Sequence, residues 1–101
     1  PSAADPRIDV ELAEAASMTG DAERQLRAAS RAAQAGGERR SNILVARARL
    51  LEGTALAALK QPARAIRALE EARRIYAGAR HFRGIALVDE ALEKTRPPAG
   101  R

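Results

Sequence analysis

Cysteine, tryptophan and bulky apolar residues are absent or scarce in this chain. It has no cysteine, no tryptophan, one phenylalanine and one tyrosine in 101 residues. Without cysteine it can form neither a disulfide framework nor a thiolate site. Hydrophobic residues make up 46% of the chain, but 25 of them are alanine, and Leu, Ile, Val and Phe together number 19. A deep core of large side chains is therefore excluded, which leaves a thin architecture whose helices approach closely across alanine.

The chain length and the missing apolar runs exclude further classes of protein. A multi-domain enzyme is excluded because 101 residues make about one domain. The densest apolar run, residues 43–46, is far shorter than a membrane-spanning helix requires. The expected location is cytoplasmic. Because the chain begins with Pro1 rather than Met, we expect a removed leader or a fragment of a longer protein.

The net charge of +5 is distributed unevenly along the chain. Residues 1–23 hold six acidic side chains and one arginine, a balance of −5. Residues 24–83 hold fourteen basic and four acidic side chains, a balance of +10, and residues 84–101 sum to zero. Arginine and alanine are also abundant in proteins from GC-rich bacterial genomes, so this composition alone does not identify an anionic partner.

Good helix formers dominate almost every segment, and the alternating pattern of strands is nearly absent. Capping residues, glycines and prolines divide the chain into five predicted helices. The predicted starts are Asp5-Pro6, Asp21, Ser41 or Asn42, Pro62 and about Arg80. The predicted ends are Thr19-Gly20, Gly36-Gly37, about Lys60, Ala77-Gly78 and Pro97-Pro98.

The second and fourth predicted helices resemble each other. Residues 24–29 align with residues 64–69 at a shift of 40. The closing Ala35-Gly36 aligns with Ala77-Gly78 at a shift of 42, which predicts two extra residues in the later helix. A period of about 40 residues containing two helices is typical of a helical solenoid.

Apolar spacing predicts how these helices pack. The fourth helix has one apolar stripe, Ala65, Ile66, Leu69, Ala72 and Tyr76. On its outer side we expect the ion pairs Arg67–Glu71 and Glu70–Arg74. The third helix is apolar on most sides, which predicts an inner helix contacted by several neighbours.

These features resemble the tetratricopeptide repeat family over residues 7–96. The family's small and apolar positions are occupied in one repeat by Gly53, Ala65, Leu69 and Ala72, and in the preceding repeat by Ala13, the Gly20-Asp21 turn, Ala29 and Ala32. The sequence departs from the family where Gln25 replaces an alanine and where Arg49 and Glu52 replace apolar residues, unless the phase shifts by one to Ala48 and Leu51. The period exceeds the usual length of about 34 residues and resembles longer bacterial variants.

The predicted fold class is all-α, an array of antiparallel helix-turn-helix repeats (a tetratricopeptide-like α-solenoid) with about five helices. One domain is expected over residues 7–96: repeat one at 7–37, repeat two at 41–78, and a fifth or capping helix at 80–95. Residues 1–6 and 97–101 are expected to be tails.

The resemblance implies a non-catalytic scaffold that binds a peptide or another protein on the concave face of the array. Carried over residue by residue, that face comprises Glu14, Met18, Arg47, Leu50, Thr54 and Ala57. Arg47 would engage an acidic group and Leu50 would form an apolar floor. No catalytic residue, cofactor or metal is expected.

Alternatives remain open at this stage. A nucleic acid or another polyanion could bind the arginine stripes Arg24, Arg27 and Arg31 or Arg64, Arg67 and Arg74, although base-reading aromatic residues are lacking. The acidic amino-terminal part and the basic middle could also pair between two molecules.

Two catalytic readings are less favoured. The segment around His81 is similar to the phosphorylatable histidine of four-helix phosphotransfer domains, but Gly84 lies one residue too close and a solvated turn residue is the favoured interpretation. Carboxylate pairs at helical spacing, Glu11 with Glu14 and Glu93 with Asp89 or Glu90, are expected on solvated faces rather than in a catalytic cleft.

Overall fold

Residues 5–96 are described by a computed structural model and form an all-α array of helical repeats. Within them the structure contains five helices and no strand: α1 (Pro6–Thr19), α2 (Ala22–Glu38), α3 (Asn42–Ala58), α4 (Pro62–Gly78) and α5 (Phe82–Thr95). The predicted fold class is confirmed. Most of the predicted tails and the expected stop at Pro97-Pro98 lie outside the described residues, whereas Pro6 already belongs to α1.

Local capping explains most of the helix starts. The Asp5 carboxylate accepts a hydrogen bond from the Arg7 amide at 3.0 Å, and the Asp21 carboxylate accepts one from the Arg24 amide at 3.1 Å. Pro6 and Pro62 occupy the first turns of α1 and α4, where no intrahelical donor is required. The starts of α1, α2 and α4 were predicted from these same aspartates and prolines.

The turns between helices recur every 20 residues. Each contains one residue with positive φ: Gly20, Arg40, Lys60 and Arg80. In each, the next amide bonds back to a helical carbonyl five residues earlier at 2.8–2.9 Å, from Asp21, Ser41, Gln61 and His81. The repeat is therefore 40 residues throughout, and α2 and α4 both have 17 residues, so the predicted two extra residues in α4 are wrong.

The predicted end of α2 at Gly36-Gly37 is also wrong, because α2 continues to Glu38. Gly36 is buried, and a Cβ atom there would lie 3.1 Å from the Val45 side chain. Gly36 therefore lies inside α2 and does not end it. Because it has no side chain, α3 can approach α2 closely there.

Consecutive helices run antiparallel, which places α1, α3 and α5 parallel to one another on one side. Helix α3 contacts all four other helices, as predicted for an inner helix, whereas α2 and α4 make no direct backbone contact within residues 5–96. The molecule is thin, with principal extents of 52 × 31 × 19 Å. No helix within the described range is both long and apolar enough to cross a bilayer.

Alanine forms most of the core. The fully buried positions with no exposed surface include Ala13, Ala29, Ala32, Ala46, Ala48, Ala55, Ala65 and Ala72. The α4 stripe predicted from sequence is confirmed, with only Ile66 partly exposed. A Cβ atom on Gly53 would lie 2.6 Å from Leu69 Cγ, so a small residue is required there for α3 and α4 to pack.

Charged residues of α4 pair between helices rather than within the helix. Glu71 binds Arg49 at 3.3 Å and Glu70 binds Arg96 at 2.6 Å, so the pairs predicted with Arg67 and Arg74 do not form. The packing of α3 resolves its phase in favour of Ala48, which is buried, and Leu51, which is partly buried.

Candidate binding groove between α1, α3 and α5

A groove of about 470 Å³ lies where α1, α3 and α5 meet. Its lining residues are Ser17 of α1, Leu50, Leu51, Thr54 and Ala57 of α3, and Leu87, Glu90, Ala91, Lys94 and Thr95 of α5. The parallel first helices of successive repeats form it, because the antiparallel alternation places α2 and α4 on the other side. Its floor is apolar and its α5 wall carries one acidic and one basic side chain.

Three of the six predicted binding residues, Leu50, Thr54 and Ala57, line this groove. Met18 does not line it and is 88% exposed at the end of α1, one residue beyond the lining Ser17. Glu14 and Arg47 do not line it either and form an ion pair that joins α1 to α3. The predicted set is therefore partly brought together in one groove.

Arg47 already has a carboxylate partner within the molecule. Its guanidinium binds Glu14, and about half of the Arg47 side chain is exposed. Burial raises the pKa of the Tyr76 hydroxyl, and the positive charge of Arg47 partly offsets this rise. An acidic ligand group would have to share Arg47 with Glu14 or displace it.

The Thr54 hydroxyl is engaged in a hydrogen-bond network beneath the groove. It donates to the Leu51 carbonyl at 3.1 Å and accepts from Gln25 Nε2 at 2.7 Å. Gln25 Nε2 also donates to the Leu51 carbonyl at 2.8 Å, and the Gln25 side chain is buried. Gln25, which departs from the family pattern, thus ties α2 to the groove-lining turn of α3.

The α5 wall of the groove was missed by the sequence prediction. Its residues Leu87, Glu90, Ala91 and Lys94 stand 40 positions after Arg47, Leu50, Leu51 and Thr54, so applying the same shift once more identifies them. The 40-residue shift is visible in the sequence, but the predicted binding residues lie only in the first two repeats.

The predicted arginine stripes differ in how many of their members are paired. Arg24 binds Asp21 at 3.6 Å, Arg31 binds Asp9 at 3.3 Å, and Arg64 donates to Gln61 at 2.7 Å. Arg27, Arg67 and Arg74 form no ion pair within residues 5–96. Acidic residues therefore pair with two of the three arginines of the α2 stripe, whereas Gln61 is neutral, so Arg64, Arg67 and Arg74 of the α4 stripe form no ion pair within residues 5–96.

Most acidic residues of the amino-terminal part are paired within the molecule. Asp5, Asp9, Glu14 and Asp21 bind Arg7, Arg31, Arg47 and Arg24. Little acidic charge is therefore left in α1 for pairing with the basic middle of a second molecule.

His81 caps the start of α5. Its Nδ1 accepts a hydrogen bond from the Gly84 amide at 2.9 Å, and its ring lies 4.9 Å from that of Tyr76. Gly84 itself packs against Tyr76, because a Cβ atom there would lie 2.4 Å from the Tyr76 ring. The residue is exposed in a turn, as the favoured interpretation of the sequence had it, and its Nδ1 is engaged in capping.

The carboxylates noted in the sequence are not grouped. Asp89 binds Arg73 at 2.6 Å, and this hydrogen bond lowers the pKa of Asp89 and raises that of Arg73. Of the carboxylates that the sequence places in pairs at helical spacing, only Glu90 lines the groove. Within residues 5–96, no three His, Asp or Glu side chains come close enough together to hold a metal ion.

Comparison with known proteins adds no relative. No family profile matches the sequence, and no curated protein or solved structure is significantly similar to it.

Proposed function

We propose that this protein is a non-catalytic interaction module of the tetratricopeptide type, which binds a segment of another protein in the groove between α1, α3 and α5. The observation that carries the proposal is the groove itself, about 470 Å³ in volume and formed by three parallel helices. A cleft of that size lies within the range of known ligand sites and is large enough for several side chains of a peptide.

The lining defines the kind of segment that fits. Leu50 and Leu87 present apolar surface, and Glu90 and Lys94 lie four residues apart on the α5 wall. A bound segment with apolar side chains on one face and a charged residue of either sign beside them would match both features. Arg47, at the α1 side, would strengthen binding of an acidic residue by exchanging its contact with Glu14.

The test begins with a phage-displayed library of random peptides selected on the wild-type protein. The affinity of an enriched peptide is then measured for Leu87→Glu and for Leu12→Glu. The two leucines are a matched pair, because each is 47% exposed, but only Leu87 lines the groove. We expect Leu87→Glu to weaken binding at least tenfold, roughly the effect of burying one unpaired charge.

Leu12→Glu should retain the wild-type affinity, and both variants should keep the wild-type helicity because the sites are exposed. Failure to enrich any peptide would contradict the proposal. Equal losses in the two variants would also contradict it, because binding would then not depend on the groove.

A further inference from the structure

Unpaired arginines collect at one edge of the array. The α2–α3 turn and the α4–α5 turn lie at the same edge, because consecutive helices are antiparallel. A pocket formed by Asn42, Arg74, Ile75, Gly78 and Ala79 shows that the start of α3 and the end of α4 meet there. We call this region, residues 38–43 and 78–83 together with Arg74, the basic edge.

The cations of the basic edge have no carboxylate partner. Arg39, Arg40, Arg74, Arg80 and Arg83 form no ion pair within the described residues. Glu38 is the single acid of the edge as defined, against five positive charges. The start of α1 lies at the same edge and adds Asp5, which is paired with Arg7. The turns of the opposite edge, residues 19–23 and 59–63, carry two acids and one lysine. Five other Lys and Arg side chains without an ion pair within residues 5–96 lie elsewhere, but four unpaired glutamates accompany them, so the net unpaired charge is concentrated at the basic edge.

Exposed apolar side chains lie among these arginines. Phe82, between Arg80 and Arg83 in the chain, is 72% exposed, and Ile43, three residues after Arg40, is 40% exposed. Phe82 is the first residue of α5 and Ile43 the second of α3, and both helices start at this edge. A single exposed apolar residue is ordinary on a protein surface, but two such residues among the unpaired arginines make the basic edge amphipathic.

We infer that the basic edge docks on the anionic headgroup surface of a membrane, a role separate from peptide binding in the groove. Arginines near an anionic leaflet are attracted to lipid phosphates and carboxylates, and Phe or Ile side chains insert into the boundary between headgroups and acyl chains. A nucleic acid backbone would satisfy the arginines equally but would gain nothing from Ile43, so the combination favours the membrane.

The experiment is co-sedimentation with vesicles of phosphatidylcholine, either pure or with phosphatidylserine as a minor component. We expect binding only to the anionic vesicles, and weaker binding as salt is raised. The double variant Arg80→Asn/Arg83→Gln should bind about 25-fold more weakly, from roughly fivefold for each arginine removed. Asparagine is chosen at position 80 because it tolerates the positive φ found there.

Two matched controls locate the effect. Arg27→Gln/Arg67→Gln removes the same charge from unpaired arginines of the outer helices and should weaken binding about twofold at most. Phe82→Ser should weaken binding at constant charge, whereas Met18→Ser, at an exposed apolar residue of the opposite edge, should not.

The inference is overturned if the protein does not bind anionic vesicles, binds both vesicle types equally, or loses as much affinity in the outer-helix variant. Tighter binding to an arbitrary DNA duplex that Phe82→Ser leaves unchanged would also overturn it, and would assign the edge to nucleic acid. Groove binding, measured with a selected peptide, should be unaffected by the two arginine double variants and by Phe82→Ser, so the two proposals fail separately.

Discussion

At the scale of single residues, buried polar side chains connect the helices. Within residues 5–96 every buried side-chain nitrogen or oxygen has a hydrogen-bond partner. Arg49 shows how this is achieved: burial alone would lower its pKa, but the Glu52 and Glu71 carboxylates that bind it raise the pKa above its usual value. Arg49 thus ties α3 to α4, and the buried Gln25 ties α2 to α3.

Gln25→Ala should destabilise the protein. The substitution removes two hydrogen bonds to α3 and leaves the Leu51 carbonyl without the Gln25 donor, so we expect a loss of about 2 kcal/mol in the free energy of unfolding. Urea denaturation measures this loss. Gln34→Ala, at an exposed position of the same helix, is the control and should change stability little. Equal stability of the two variants would show that the buried amide does not tie the helices.

The Arg73–Asp89 pair should stabilise the fold above acidic pH only. The pKa of Asp89 is lowered in the folded protein, so its contribution is present above the ordinary value of 3.8 and is lost as pH falls through the lower folded value. Carboxyl NMR titration of the wild type should place the pKa of Asp89 below 3.8, and Arg73→Gln should return it towards that value. An unchanged Asp89 titration in this variant would contradict the assigned cause.

At the scale of helices and turns, close approach depends on a few small residues. Gly53 in α3 faces Leu69 and the Ala65 carbonyl of α4, whereas Gly37 near the end of α2 has no atom near the place of a Cβ. Alanine has a higher helix propensity than glycine at both positions. Whether each substitution stabilises or destabilises the protein therefore depends on the atoms around the added methyl group.

Gly53→Ala should therefore destabilise the protein and Gly37→Ala should not. The added methyl group at position 53 would lie 2.6 Å from Leu69 Cγ, and the required shift should cost about 1–3 kcal/mol. Gly37→Ala should be neutral or stabilise by up to about 1 kcal/mol. Thermal unfolding followed by circular dichroism compares the two, and a lower melting temperature for Gly37→Ala than for Gly53→Ala would contradict the packing described for α3 and α4.

The helices were predictable from the sequence where a local signal decides them. Asp5, Asp21 and Pro62 begin helices through their own side chains and rings, and the structure confirms these starts. Gly36 could not be read in the same way, because its role depends on Val45 of the next helix rather than on its own backbone preference. Arg40, Lys60 and Arg80 adopt positive φ although none of them is glycine. No residue type therefore marked the 20-residue spacing of the turns in the sequence.

The same distinction explains the groove. Leu50, Thr54 and Ala57 were predictable because the repeat pattern assigns a face to α3. The pairing of Arg47 with Glu14 was not, because it joins residues 33 positions apart on two parallel helices. Long-range ion pairs depend on the relative placement of helices, which periodicity within one helix does not specify.

At the scale of the whole molecule, the array is thin and each helix depends on its neighbours. A fold 19 Å across in its shortest dimension has little interior beyond the contacts between adjacent helices. Helix α3 is the exception, since it touches every other helix. Stability in such arrays is approximately a sum of helix and interface contributions, so it should be highest at the centre and lowest at the ends.

Native-state hydrogen exchange should reflect this gradient. The amides of residues 46–56 in α3 should exchange most slowly, because they open only when all four neighbours separate. The amides of α5, which contacts only α3 and α4, should exchange faster. Equal protection of α3 and α5 would indicate a single cooperative bundle rather than an array of repeats.

The central claim is that the groove binds a partner segment. It is tested most directly by NMR titration of isotopically labelled protein with a peptide selected on the wild-type protein. We predict that the largest amide shift changes occur along the groove lining, at Leu50, Leu51, Ala57, Leu87 and Ala91. The amides around Arg27 and Arg67 on the outer helices should stay unchanged. Shift changes centred on those outer helices, with none in the groove, would contradict the account.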